Sequence, residues 1–274
     1  MLALVVTAQA VYTPTDTELA VMAPAQTQGT PVPVLMYHHL LFDHNRWGSW
    51  IVSPDLLESD LQYIRDHGYT TMLISELIEA LEGKRPMPEK PIILTFDDGH
   101  ESVLAYGLPL LEEYGMKAEI NIVGSYTDVF SAIEEHNIAY SYIQWQQMAA
   151  MAETGLIEFG NHSYDLHTHG DRYGVAIKDG EPLEAYREVL RADTIRTHEE
   201  LTEALGGQEP FIYAFPLGKH CQEAKDLLLE MGYTVFLTCE EKVNYLQTYT
   251  PGMSLCRFNR DAGQSSAEFF SKFA

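Results

Sequence analysis

The sequence predicts an α/β fold, a distorted or incomplete (β/α) barrel of about seven parallel strands. Strand and helix signals alternate from Pro33 onward, which is the pattern of a parallel sheet wrapped by helices. The run 91–96 (PIILTF) is apolar almost throughout, as expected for a parallel strand covered on both faces. Polar residues cluster just after several predicted strands, where α/β folds build their sites.

Each element is predicted by local start and stop signals. Ser53 followed by Pro54 begins a helix, because serine caps free N–H groups and proline suits the first helical position. Ser75 is the predicted cap of the next helix, and Gly68 and Gly83 end these two helices. The predicted strands are 34–37, 69–73, 91–96, 118–123, 156–159, 211–215 and 234–237, and further helices begin near 145 or cover 183–205 and 223–231.

The charge balance is strongly acidic, with 17 basic and 40 acidic residues and a formal net charge of −23. Binding to nucleic acid is not expected, because contact with phosphates requires a basic face. The acidity is typical of a soluble, self-repelling surface, and it also suits a substrate that becomes cationic as amino groups are freed.

The N-terminal segment is predicted to be separate from the folded domain. Residues 1–10 form a short apolar run that ends in Ala-Gln-Ala, which is typical of an export-signal remnant without its basic start. Residues 11–30 have the composition of a flexible tether, so the predicted domain covers 31–274. The apolar run is too short to span a bilayer. We therefore expect an extracellular or cell-surface protein without a transmembrane segment, and a monomer.

Two adjacent carboxylates, Asp97 and Asp98, directly follow the near-continuous apolar strand 91–96. Neighbouring residues at a strand end point in different directions, so one carboxylate can bind a metal while the other acts as a base. The alternative is a solvated Asp-Asp-Gly turn, which is common in proteins.

Two histidines, His162 and His167, lie just past another predicted strand. Imidazoles five residues apart on a loop can converge on one ion, and imidazole suits zinc. Together with the two aspartates they favour a metal site over isolated surface histidines. His169 is interpreted as a surface residue.

Two further strand ends carry candidate catalytic groups. His38 follows the strand 34–37, and histidine is suited to act as a general acid because its pKa lies near neutrality. The strand 211–215 runs into a Pro-Leu-Gly turn at 216–218. Such a turn can direct a backbone N–H at an oxyanion.

Four motifs together resemble the polysaccharide deacetylases of carbohydrate esterase family 4. They are TFDDG at 95–99, HSYDLH at 162–167, VLMYHH at 34–39 and YAFPLG at 213–218. VLMYHH stands first instead of last, and the two histidines are spaced H-x4-H. Both features resemble the circularly permuted branch that includes the poly-β-1,6-N-acetylglucosamine deacetylases.

The resemblance implies a role for each matching residue. Asp97 matches the catalytic base, and His38 matches the general acid. The metal ligands correspond to Asp98, His162 and His167, and the oxyanion donor to the backbone N–H of Leu217. The implied cofactor is Zn²⁺, or another divalent ion such as Co²⁺ or Ni²⁺. The implied reaction is removal of N-acetyl groups from an acetylated polysaccharide.

The chain departs from the family pattern at one position. An arginine that orients the base usually precedes the Pro of the fourth motif, but residues 212–214 read Ile-Tyr-Ala. Arg257, Arg260 or Lys219 are the candidate substitutes. Two alternatives stay open: a weakened carbohydrate-binding relative, or a deacetylase of peptidoglycan, chitin or O-acetylated xylan.

Overall fold

A curled parallel sheet organises the chain, of which a computed structural model describes residues 29–133 and 135–273. Each of the seven predicted strands is present, some of them shorter than predicted. The strands are β1 (Thr30–Val32), β2 (Val34–Tyr37), β3 (His39–Leu40), β4 (Ile51–Val52), β5 (Thr70–Thr71), β6 (Pro91–Phe96), β7 (Ala118–Ile122), β8 (Ile157–Asn161), β9 (Ile212–Ala214), β10 (Val235–Leu237), β11 (Asn244–Leu246), β12 (Met253–Leu255) and β13 (Phe258–Asn259).

Eight strands pair side by side in the order β12, β10, β9, β8, β7, β6, β2, β13, and β5 pairs with β6 outside this path. Every pairing in this sheet is parallel. The prediction of an incomplete parallel barrel is therefore confirmed. β12 and β13, which were not predicted, extend the sheet at its two ends.

These two end strands are separated in sequence only by Cys256 and Arg257. Two residues cannot bridge the width of a flat eight-stranded sheet, because neighbouring strands lie about 4.8 Å apart. The sheet must therefore curl until its ends approach each other. We call the segment 256–257 the seam, and it carries Arg257 into the interior of the half-barrel, where its side chain is fully buried.

The helices follow the strands as the alternating pattern predicts. They are α1 (Pro54–Asp66), α2 (Ile74–Leu81), α3 (Leu108–Tyr114, preceded by the π-helical turn Val103–Gly107), α4 (Gly124–Ile133), α5 (Trp145–Glu153), α6 (Leu183–Ala204), α7 (Gln222–Glu230) and α8 (Ser266–Phe270). The Ser53 hydroxyl accepts the N–H of Leu56 at 3.0 Å, which confirms the predicted cap of α1.

The start of α2 differs from the prediction. This helix begins at Ile74, so Ser75 lies inside its first turn and is not the cap. The Glu76 carboxylate accepts the N–H of Leu73 at 3.1 Å, and the N–H of Ser75 donates to Glu158 at 3.1 Å. The carboxylates of Glu76 and Glu158 thus accept free N–H groups at the start of the helix, as the hydroxyl of a serine cap would have done.

The hydrophobic core lies between the sheet and its helices. All six residues of β6 are buried. Leu57, Leu61 and Ile64, predicted at helical spacing, pack on the same cluster as Leu94 and Phe96. Burying each such side chain contributes roughly 1.5–3 kcal/mol. This packing fixes the carboxyl end of β6, where Asp97 and Asp98 follow.

Most of the predicted N-terminal segment lies outside the described residues, namely the export-signal remnant and the tether as far as residue 28. The described chain enters the fold through β1, which pairs antiparallel with β11. Within residues 29–133 and 135–273, the helices all fall short of the length and apolarity needed to cross a bilayer.

Candidate active site

The three predicted metal ligands meet at the carboxyl end of the sheet. One ligand atom each of Asp98, His162 and His167 lies within 4.8 Å of the other two. Nε2 of His167 is 3.3 Å from Oδ1 of Asp98, and Nε2 of His162 is 3.7 Å from it. Two imidazole nitrogens and one carboxylate oxygen are a donor set that suits zinc and similar divalent ions, with positions left for water and substrate.

The protonation states of these ligands also fit a cation. Burial lowers the pKa of His162 to about 4, so its imidazole is neutral at pH 7. Burial opposes ionisation of Asp98, but hydrogen bonding to His100 and the charges of nearby imidazoles hold its pKa below the usual range. Oδ1 of Asp98 is buried without a hydrogen-bond partner among the described residues. Lone pairs that converge in this way are satisfied by a metal ion.

The orientation of His162 is fixed by a hydrogen bond on its far side. Its Nδ1 donates to the backbone oxygen of Ala214 at 2.8 Å, at the end of β9. We assign the proton to Nδ1 because a carbonyl oxygen can only accept. Nε2 is then free to bind a metal, which is the arrangement that orients histidine ligands in many metalloproteins.

Asp97 points into the barrel and is held by Arg257. Nη1 and Nη2 of the Arg257 guanidinium donate to Oδ1 and Oδ2 of Asp97, respectively, at 2.7 Å each. The Asn121 amide adds a third hydrogen bond, to Oδ1 at 2.8 Å. Burial is the largest single influence and opposes ionisation of Asp97, but the charge and hydrogen bonds of Arg257 and the charges of nearby imidazoles together outweigh it and hold the pKa well below its usual range. Asp97 is therefore a fixed, ionised carboxylate.

Arg257 thus holds Asp97, the residue that the resemblance matches to the base, although the fourth motif itself lacks an arginine. Its Nε also donates to the Thr238 carbonyl oxygen at 3.0 Å, and this hydrogen bond fixes the orientation of the guanidinium group. The other two candidates do not reach Asp97. Arg260 forms a buried ion pair with Asp60 at 2.7 Å, and Lys219 lies over the Tyr173 ring.

His38 stands beside Asp97 because β2 and β6 are adjacent, with Tyr37 opposite Phe96. Burial lowers the pKa of His38, and the carboxylates of Asp98 and Asp97 oppose that shift. Both carboxylates thus favour the protonated imidazole, which is the form that can donate a proton. The ring also meets the exposed Trp50 edge-on, with 4.8 Å between the centroids.

His39 makes different contacts from His38. Its Nε2 hydrogen-bonds the backbone oxygen of Ile138 at 2.9 Å, and its ring stacks on His100 at 4.1 Å. Burial lowers its pKa to about 4. His39 is therefore a neutral ring tied to the loop that contains Ile138.

Backbone strain is concentrated around this site. Among the described residues, Asp98, Ser163 and Leu217 are the non-glycine residues with positive φ, at 72°, 74° and 57°. Such conformations cost of order 1–3 kcal/mol each and persist only where the surroundings enforce them. Leu217 lies in the short helical turn Pro216–Gly218 that follows β9, the turn predicted to carry the oxyanion donor. His169 is exposed, in agreement with its interpretation as a surface residue.

The loop that carries the two histidines is anchored by α6, which the sequence did not link to the site. The Asp193 carboxylate accepts the N–H groups of Tyr164 and Asp165 at 2.9 and 2.7 Å. The Thr197 hydroxyl, one turn further along the helix, donates to the Ser163 carbonyl at 3.1 Å. In the sequence, the only signal for this anchor is that Asp193 and Thr197 are four residues apart and so lie on the same side of a long helix.

Comparison with known proteins agrees with this architecture. The family model for polysaccharide deacetylases matches residues 84–236, which is more than half of the chain. The chain belongs to the polysaccharide deacetylase family. Its fold is similar to that of a de-N-acetylase from Aggregatibacter actinomycetemcomitans, with a TM-score of 0.74 and 24% identity over 89% of this chain and 100% of that one. It is also similar to IcaB from Ammonifex degensii, with a TM-score of 0.71 and 25% identity over 88% and 98%.

The chain is also similar to two curated relatives. The poly-beta-1,6-N-acetyl-D-glucosamine N-deacetylase of Escherichia coli (strain K12) is 27% identical over 208 residues, 69% of this chain. The enzyme of the same name from Staphylococcus epidermidis is 23% identical over 197 residues, 71% of this chain. The matched region spans 31% of the first relative and 63% of the second, so the chain corresponds to only part of each.

Proposed function

We propose that this chain is a metal-dependent deacetylase that removes N-acetyl groups from a polysaccharide containing N-acetylglucosamine. The observation that carries the proposal is the pairing of two distinct carboxylate environments. Asp97 is clamped by Arg257 as an ionised base, and Asp98 faces two imidazole nitrogens in a group suited to a metal. The alternative, a weakened carbohydrate-binding relative, rested on the missing arginine of the fourth motif. Because Arg257 holds Asp97 in its place, that reason for the alternative no longer applies.

The proposed ligands are Asp98, His162 and His167, with Zn²⁺ as the expected ion and Co²⁺ or Ni²⁺ as substitutes. When bound, such an ion polarises the amide carbonyl and lowers the pKa of a bound water towards about 7. This chemistry requires a nearby base that stays ionised and is not itself a ligand. Asp97 meets that requirement, since both of its oxygens are engaged by Arg257.

The remaining steps use this chain's own groups. Asp97 accepts a proton from the attacking water as the water oxygen bonds to the acetyl carbon. The backbone N–H of Leu217 stabilises the resulting oxyanion, a contribution typically of roughly 3–4 kcal/mol. His38 donates a proton to the nitrogen as the carbon–nitrogen bond breaks. The products are acetic acid, which ionises to acetate, and a free amine, and the proton now held by Asp97 balances the proton that His38 gave up.

The substrate assignment is tested by measuring released acetate from a panel of acetylated glycans. We expect the highest kcat/KM on β-1,6-linked N-acetylglucosamine oligomers, loss of activity with a chelator, and recovery with Zn²⁺ or Co²⁺. Faster turnover of peptidoglycan, chitin oligomers or O-acetylated xylan would assign a different substrate to the chain and leave the proposed catalytic mechanism unchanged. Absence of bound metal together with absence of acetate release would refute the proposed function.

An extracellular or cell-surface location follows from this proposal, since the polymer lies outside the cytoplasm, and from the apolar start of the sequence. We expect the native protein, as a monomer, in the extracellular or envelope fraction of a bacterial host, with the first residues removed. Recovery only from the cytosol, with an intact N-terminus, would contradict this location.

A further inference from the structure

In addition to Asp97, a second acidic side chain is buried in the barrel, and it forms no ion pair of its own among the described residues. Glu119 lies on β7, opposite Thr95 on β6 and Glu158 on β8. It is 0% exposed, and neither of its carboxyl oxygens has a hydrogen-bond partner among the described residues. The cation that acts on Glu119 is Arg257, whose guanidinium already holds Asp97.

Asn121, two residues further along β7, has the complementary deficiency. Its amide nitrogen donates to Oδ1 of Asp97 at 2.8 Å, so its oxygen points away from that carboxylate. That oxygen is buried and lacks a donor among the described residues. Leaving a buried acceptor unsatisfied destabilises a protein, so such a group needs an explanation.

The two unsatisfied groups converge on Gly160, which lies opposite Asn121 on β8. A methyl group added at Gly160 would lie 2.4 Å from Oε1 of Glu119 and 2.4 Å from Oδ1 of Asn121. Two atoms that are both 2.4 Å from one point are at most about 4.8 Å apart. The absence of a side chain at position 160 thus leaves room for the carboxyl group and the amide oxygen to meet.

We propose that Glu119 is a positioning residue for the base: as a neutral carboxylic acid it donates a hydrogen bond to Oδ1 of Asn121 and fixes the amide nitrogen toward Asp97. A carboxylate has no proton to donate, whereas a neutral carboxyl group has one. A single hydrogen bond then satisfies both orphaned groups. If the Asn121 amide were flipped, its oxygen instead of its nitrogen would face Oδ1 of Asp97, and this contact would place two oxygens against each other.

The electrostatic surroundings support a neutral Glu119. Burial raises its pKa well above the usual range, and the nearby carboxylates of Glu158 and Asp97 raise it further. Arg257 acts in the opposite direction but does not compensate. A carboxylic acid kept neutral by an apolar site, so that it can donate a hydrogen bond, is a known device of enzyme active sites.

The first test does not depend on turnover. The infrared spectrum of the full-length protein at pH 7 is recorded in ¹H₂O and ²H₂O for the wild type and Glu119→Gln. We expect a carbonyl band of a protonated carboxylic acid that shifts on deuteration and is absent from the variant. If the two spectra do not differ in this band, Glu119 is ionised and the proposal is wrong.

The second test rests on the proposed function and uses a matched pair of variants. Glu119→Gln keeps a neutral donor of similar shape, so we expect kcat within about twofold of wild type. Glu119→Met keeps the volume but removes the donor, so we expect about a tenfold lower kcat, with KM and bound metal unchanged. Glu158→Gln, on the neighbouring strand and hydrogen-bonded to the Ser75 N–H, is the control and should leave kcat nearly unchanged.

The outcomes separate the hypotheses. Equal losses in Glu119→Gln and Glu119→Met would show that an ionised carboxylate is needed, and no loss in either would remove the positioning role. Gly160→Ala, which displaces the same contact from the opposite strand, should reproduce the loss if Glu119→Met does not fold. If the wild type releases no acetate from any glycan, the proposed function fails, and the infrared comparison still decides the state of Glu119.

Discussion

Asp97→Asn is expected to lower acetate release by roughly 10²–10⁴-fold, the usual effect of losing a positioned general base. The amide of asparagine cannot accept the proton of the attacking water. Metal content should stay at wild-type level, since Asp97 is not part of the three-residue ligand group. Measurements of kcat together with elemental analysis of the purified variant test this result.

The matched control for this variant is His162→Ala, which removes a ligand instead of the base. We expect it to lose both the metal and nearly all activity. Asp97→Asn also leaves the fully buried Arg257 without its counter-charge, and breaking such a pair typically costs about 3–5 kcal/mol. The melting temperature of the variant should therefore fall, so its activity must be measured well below the transition. A rate near that of the wild type in folded Asp97→Asn would remove Asp97 from the role of base.

The convergence of Asp98, His162 and His167 could be predicted from sequence because each of them follows a strand. β6 is a continuous apolar run, and a carboxylate directly after it must emerge at the carboxyl edge of the sheet. The two histidines follow β8, two strands away in the sheet, and meet Asp98 at the same edge. Local patterns were sufficient here, because the parallel sheet brings these strand ends together.

Among the groups that support the site, Arg257 could be predicted only as one of three candidates, and Asp193 and Glu119 could not be predicted at all. Arg257 reaches Asp97 only because the sheet curls and brings its two ends to the seam, and strands as short as β12 and β13 have no clear periodicity. Asp193 acts from the middle of a long helix, far in sequence from the loop that it holds. Glu119 and Asn121 alternate with apolar residues along β7, and this alternation predicts a solvent-facing side for them although the whole strand is buried. Each depends on tertiary packing and not on local sequence.

The assignment of the general acid predicts a large difference between two adjacent histidines. His38→Ala should lower kcat by roughly 10²–10⁴-fold, because the departing amine then lacks its proton donor, and leave bound metal unchanged. His39→Ala should keep kcat within a few-fold of wild type. It removes the hydrogen bond to the Ile138 carbonyl, so its effect should appear as lower stability, of roughly 1–3 kcal/mol.

The identity of the leaving group distinguishes an acid from a residue that only maintains the pocket. An aryl acetate ester releases a phenolate that needs little protonation, whereas the sugar amide must release a strongly basic nitrogen. If His38 is the acid, His38→Ala should lose far less activity on the ester than on the N-acetylated sugar. A purely structural defect would lower both rates by the same factor. Equal losses on the two substrates, or a variant pair in which His39 matters more than His38, would overturn the assignment of His38.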